Sequence, residues 1–267
     1  MATVLVLAAA SAAFAEPAVP PVESVTSEAS KTATPTPFLT GGSRWLFPLC
    51  AKTVGLVAAQ NQRVTQRVQQ VAKLVGAPVA TSRNCHPNAE IVFSAHPQAF
   101  LDAVMNKRYR LLGGTLAQAK AAAGMRYPVQ SWYSTAMMDE DGGLLLMPPD
   151  DDDCDPYCFF SMGHDTGLRV VIGTVIIVVD DDKVEGRKFE SLADYVALMA
   201  LTQARAFARC QAAPSIANLM AADCADALQP DGLTAGDLAW MRGLYHMSAD
   251  AARKADELDL ASARGGN

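Results

Sequence analysis

Val170-Val171-Ile172-Gly173-Thr174-Val175-Ile176-Ile177-Val178-Val179 is the most apolar run of the chain, and every residue in it except Gly173 is β-branched. Branching at Cβ restricts χ1 and favours the pleated backbone. The run is ten residues long, about half of the roughly twenty that a membrane-spanning helix needs. An unbroken apolar strand without alternation is covered on both faces, so the run reads as a buried central strand. It stops at Asp180-Asp181-Asp182-Lys183, where the charge ends the strand.

Working outward from that strand, the periodicity changes from two to 3.6. Val54 to Val75 reads as an amphipathic helix with Val54, Val57, Val64, Val68, Val71 and Val75 on one stripe. Gln60, Arg63, Arg67, Gln70 and Lys73 lie elsewhere, and Gly76 and Pro78 end the helix. Glu90–Ser94 reads as a short strand. Pro97 opens a helix through Met105 at the position where proline loses nothing. Leu116–Ala123 is helical up to Gly124, and Val129–Ala136 is strand-like. Ser191–Phe207, with Ser191 as its cap, is apolar nearly all round and is therefore a buried helix. Thr234 caps a helix through His246, and Asp237 three residues on completes a capping-box pattern. A polar helix from Ser248 to Arg264 finishes the chain. Helices and strands mix without strict βαβ alternation, so the expected class is α+β, with a single domain built on a mixed β-sheet flanked by helices.

The 267 residues carry 28 acids, 22 Lys plus Arg, and a net charge of −6. Eight of the acids fall between Asp139 and Asp155 with no base among them, so the rest of the chain is nearly neutral. A broad basic surface for nucleic acid is thereby excluded. Met1–Ala15 is a short apolar run ending Ala13-Phe14-Ala15, which reads as a signal peptide with an A-x-A-like cleavage site. Residues 16–37 contain five prolines among Ser, Thr and Ala, the composition of an extended linker. The globular domain is expected over 38–247 and a polar tail over 248–267. After signal removal no second segment is long enough to span a bilayer, and the expected location is periplasmic or secreted.

The six cysteines, Cys50, Cys85, Cys154, Cys158, Cys210 and Cys224, are read first as disulfides in an exported chain. Locality favours Cys210–Cys224, with Cys154–Cys158 pinning the acidic segment and Cys50–Cys85 bracketing a helix. A zinc site from Cys154, Cys158 and His164 lacks a second close pair. The acidic segment suggests a hard-cation site, with Asp150, Asp152, Asp153 and Asp155 as calcium candidates. Its opening resembles an EF-hand loop, but Asp155 stands where glycine is required and Ser161 where the bidentate glutamate belongs. An EF-hand is rejected, and no other cofactor is indicated. The Asp139–Gly167 excursion, with Trp132 and Tyr133 leading into it, is the expected functional surface. Core and sheet packing is the alternative role for both aromatics and the favoured one for Trp132.

No Walker A loop, G-x-S-x-G elbow, dinucleotide fingerprint or H-E-x-x-H helix occurs. His86 and His96 adjoin prolines and read as loop or cap residues, and none of the four histidines (with His164 and His246) pairs with another at i, i+4. A carboxylate-based hydrolase would draw on Asp180, at the end of the central strand, and Asp194, on the apolar helix. The plainer roles for these two are a strand-end turn and a first-turn helix acid.

Pro214-Ser215-Ile216-Ala217-Asn218-Leu219-Met220, followed by Leu233-Thr234-Ala235-Gly236-Asp237-Leu238-Ala239-Trp240-Met241-Arg242-Gly243-Leu244-Tyr245, resembles the end of zincin-type metalloprotease domains. The order of helix, sheet and buried helix before this turn is similar. Cys85-His86-Pro87-Asn88 and the A-D-Y-x-A-x-x-A-L helix also resemble an uncharacterised family of exported bacterial proteins. The resemblance implies a zincin-like fold in which the zinc helix is Ala193-Asp194-Tyr195-Val196-Ala197, with Gln203 near a third ligand position. Both histidine positions then hold alanine, and a methyl group cannot ligate zinc. The implied protein is a pseudoenzyme that serves binding or interaction with a protein or cell-envelope component. The alternative is an exported hydrolase, metal- or carboxylate-dependent.

Overall fold

The computed structural model describes residues 43–82, 84–112, 116–138, 144–145, 169–204, 206–207, 209–248 and 251. They form an α+β structure around one mixed sheet of five strands in the order β1-β2-β5-β3-β4. The strands are β1 (Ala51–Val54), β2 (Ala89–Ser94), β3 (Val129–Met138), β4 (Leu144–Leu145) and β5 (Arg169–Asp180). β1, β2 and β5 run parallel, with Val54 opposite Val92 and Ile91 opposite Ile177. β3 is antiparallel to β5, and its register shifts between Ser134 and Thr135.

β5 is the central strand that its composition demands. Val175, Ile177 and Val179 face the larger core, while Ile176 and Val178 face a second, smaller one. The smaller core is closed by α2 (Pro97–Arg108) and α3 (Leu116–Ala122), through Leu101, Ala119 and Ala122. The larger core is closed by α1 (Ala58–Val75), α5 (Phe189–Leu201) and α6 (Ala235–His246). A short helix, α4 (Asp181–Val184), turns the chain between β5 and α5.

The N-terminal helix begins later than its valine stripe suggests. Val54 ends β1, Gly55 takes φ 103°, and helix starts only at Ala58. A Cβ at Gly55 would stand 1.9 Å from the Phe93 carbonyl oxygen, so the turn out of β1 needs glycine both for its conformation and for space. Val54 and Val57 are consequently exposed, and the buried stripe is Val64, Val68, Val71, Ala72 and Val75. Gly76 ends the helix at φ 87° with its N–H on carbonyls of the last turn.

α5 starts at Phe189, with Lys188 as N-cap. Ser191 is therefore inside the helix and not its cap, and its hydroxyl donates to the Asp231 carbonyl at 2.6 Å. The helix ends at Leu201 rather than Phe207, because Thr202 turns extended. Every residue from Ser191 to Leu201 is buried, so its last carbonyls have no water to turn to. Four side chains replace it. Thr202 Oγ1 donates to Leu198 O at 2.9 Å and Tyr133 OH to Met199 O at 2.6 Å. Trp45 Nε1 reaches Ala200 O at 2.8 Å, and Tyr245 OH reaches Leu201 O at 2.9 Å.

Trp132 and Tyr133 are core residues, 2% and 4% exposed, so neither presents an aromatic surface. Trp132 Nε1 donates to Ala122 O at 2.8 Å. An indole buried this deeply has its N–H bonded and its ring packed, which leaves nothing for a partner. Disulfides join Cys50 to Cys85 and Cys210 to Cys224. Cys154, Cys158, the zinc alternative with His164 and the proposed signal and linker lie outside the described residues. No helix of the described residues is long and apolar enough to cross a membrane.

Candidate functional site

α1 and α5 pack against each other across the larger core. Their solvent edges enclose an open cleft of about 390 Å³. α1 lines it with Arg63, Gln66, Arg67 and Gln70, which the 3.6-residue period brings to one stripe at i, i+3, i+4 and i+7. α5 answers with Phe189, Glu190, Ala193 and Asp194. Two ion pairs cross the cleft: Arg63 Nη2 with Glu190 Oε1, and Arg67 Nε with Asp194 Oδ1. The Arg63 guanidinium also lies over the Phe189 ring, 5.1 Å from its centroid, a cation–π contact.

The two pairs differ in surroundings. Arg63 and Glu190 are both mostly exposed, where a pair contributes little. Asp194 is buried on α5, and its second oxygen accepts the Leu233 N–H at 3.0 Å. That amide belongs to a loop fastened to the start of α5 by two more bonds: Lys188 Nζ to Asp231 Oδ2 and Ser191 Oγ to Asp231 O, both at 2.6 Å. Gly232 sits between them, and a Cβ there would stand 2.8 Å from Asp194 Oδ2. Both Asp194 oxygens are thus engaged.

Asp180 lies elsewhere. It is buried at the end of β5, its Oδ2 takes Lys183 Nζ at 2.8 Å, and it does not line the cleft. The two carboxylates named from sequence are therefore not brought into one pocket. Beside Asp180, burial, and then the neighbouring Asp182 and Asp180 charges, push the Asp181 carboxyl above its ordinary range. The calcium candidates Asp150, Asp152, Asp153 and Asp155 lie outside the described residues. Among the described residues no three His, Cys, Asp or Glu side chains converge as a metal site would require. His96 is the N-cap of α2, while His246 ends α6 beside Gly76.

A second polar cluster, below α5, is structural. Asp237 Oδ2 accepts Ile216 N at 3.0 Å, Thr234 N at 2.8 Å and Thr234 Oγ1 at 2.9 Å, while Oδ1 takes the Ser215 hydroxyl. Thr234 Oγ1 in turn accepts Asp237 N at 3.1 Å, which completes the capping box. This buried carboxylate locks the 3-10 turn Ile216–Met220 to the first turn of α6. Asn218 fills the interior of the turn, accepting from Gln211 N at 2.7 Å and donating to Ala213 O and Leu228 O.

Sequence reasoning singled out Asp194 but not its partners. Arg63, Arg67 and Gln70 were legible only as the polar side of a helix. Nothing in the local pattern pairs them with residues over a hundred positions away. Comparison of the chain with protein-family models, with curated proteins and with solved structures finds no match in any of the three.

Proposed function

We propose that this chain is an exported, non-catalytic binding protein with a zincin-like fold whose zinc helix has lost its ligands. The observation that carries this reading is the state of α5. Ala193 and Ala197, at the positions where the resemblance puts histidines, are buried methyl groups without a donor atom. Asp194, at the position of the acid that would activate a metal-bound water, has both oxygens engaged by Arg67 and Leu233. A general base must lie within hydrogen-bond reach of the proton it takes, and here both carboxylate oxygens are held by protein donors instead. The succession of amphipathic α1, mixed sheet, buried α5, tight turn and capped α6 supports the fold assignment. Export is supported by the two disulfides, which persist in oxidising compartments.

The decisive measurement is the metal content of residues 16–267 purified from an oxidising compartment without chelator. The expected result is no stoichiometric zinc. One zinc per chain would overturn the reading and restore a metallohydrolase. Calcium alone would assign the cation to the acidic segment and leave α5 as described.

A further inference from the structure

We propose that the cleft between α1 and α5 receives the carboxylate of a peptide, an inference that rests on the binding role above and names its ligand. Arg67 carries it. Asp194 occupies only the Nε edge of the guanidinium, and the two terminal nitrogens have no partner among the described residues. The Arg67 side chain is 35% exposed and lines the cleft. A planar fork with its terminal edge open is the donor geometry that matches a carboxylate bidentately.

The surroundings favour a carboxylate carried on amide groups over an isolated small anion. Gln66 and Gln70 lie one turn apart beside Arg67, and neither amide has a partner among the described residues. Each offers both donor and acceptor to a peptide group. Phe189, held beneath Arg63, supplies an apolar contact at the other end. Asp194 does not repel the incoming charge outright, because Arg67 neutralises it. Glu190 is matched by Arg63 in the same way. The volume, about 390 Å³, lies in the lower part of the range of small-ligand sites, about 300–1,000 Å³, enough for a few residues and not for a folded partner.

The test uses the full chain, isotope-labelled, titrated by NMR with three probes. These are N-acetyl-trialanine with a free C-terminal carboxylate, the same peptide as its amide, and an N-acetylated amide peptide with one internal glutamate. Saturable shifts in α1 and α5 with the free acid or the glutamate peptide, and none with the neutral amide, are the expected result. The acid that binds tells a chain terminus from a side chain. Arg67→Lys keeps the charge opposite Asp194 and so keeps the fold, but removes the fork. Binding should weaken about tenfold, the scale of one charged hydrogen bond. Gln70→Ala, on an exposed helix face, is the second variant and should weaken it less.

Equal binding of the amide and the acid would overturn the carboxylate assignment while leaving a peptide-binding cleft. No shift at the cleft with any probe would overturn the proposal outright. Cleavage of the peptides, followed by mass spectrometry in the same samples, would overturn the non-catalytic reading instead.

Discussion

Asp194 illustrates how one residue type serves different ends according to what faces it. A carboxylate on an apolar helix is costly to bury unless it is paired and hydrogen-bonded. Arg67 and the Leu233 N–H provide both. Asp194→Ala leaves the Leu233 amide and the guanidinium without their acceptor, a loss of about 1–3 kcal/mol. Because Arg67 is partly exposed, water takes over part of its solvation, which places the loss toward the lower end of that range. Asp194→Asn retains a carbonyl for Leu233 and should lose less. Urea unfolding of the two variants checks the order, and midpoints equal to that of the parent would show that the carboxylate anchors nothing. Asp194 was legible in the sequence as an anomaly on an apolar face. Arg67 was not, since the contact joins residues 127 positions apart.

At the scale of the element, α5 shows why burial of a helix end is a tertiary problem. Its last four carbonyls are met by Thr202, Tyr133, Trp45 and Tyr245, drawn from its own end, from β3, from the N-terminal segment and from α6. Burial also holds the hydroxyls of Tyr133, Tyr195 and Tyr245 well above the ordinary tyrosine range. The folded protein therefore keeps these three protons at alkaline pH, while the unfolded chain releases them near pH 10, the ordinary value. The stability this supplies is fully present below about pH 10 and declines as pH rises, by up to about 1.4 kcal/mol per pH unit for each tyrosine. Unfolding midpoints in urea from about pH 8 to about pH 11, bracketing the free tyrosine value, should be flat and then fall. Tyr133→Phe should reduce the slope by its own share; an unchanged slope would place the coupling elsewhere. The sequence showed α5 to be buried, because apolar residues encircle it. It did not show where the helix ended, since residues 202–207 contain no proline or glycine to break a helix, and the chain leaves it because Thr202 turns extended.

At the scale of the whole molecule, each of the two disulfides closes a long-range loop of the chain. Cys50–Cys85 closes a loop of 35 residues that carries α1, and Cys210–Cys224 one of 14 around the turn below α5. Chain entropy assigns about 4 kcal/mol to the longer closure and about 3 kcal/mol to the shorter. Replacing Cys50 and Cys85 together by alanine should therefore lower the melting temperature more than the same change at Cys210 and Cys224. Reductant opens both bridges and should lower it further than either double substitution. A melting temperature indifferent to reductant would mean that neither bridge constrains the unfolded chain.

The sequence by itself determined the elements whose signal is local. The β-branched run of β5, the polar and apolar sides of α1, the proline start of α2 and the Thr234–Asp237 capping box all act within a few residues, where periodicity and capping chemistry are complete. Locality favoured the two cysteine pairs seen here, but sequence alone does not choose among the 15 connectivities that six cysteines allow, and the fold decides them. Tertiary structure alone decided the remainder. Gly55 is required by the Phe93 carbonyl of the neighbouring strand, and Trp132 and Tyr133 are drawn inward by carbonyls at the ends of α3 and α5. The cleft exists only because α1 and α5 meet. Each of these depends on groups far apart in the chain, whose approach is settled by burial of the common core and not by any local preference.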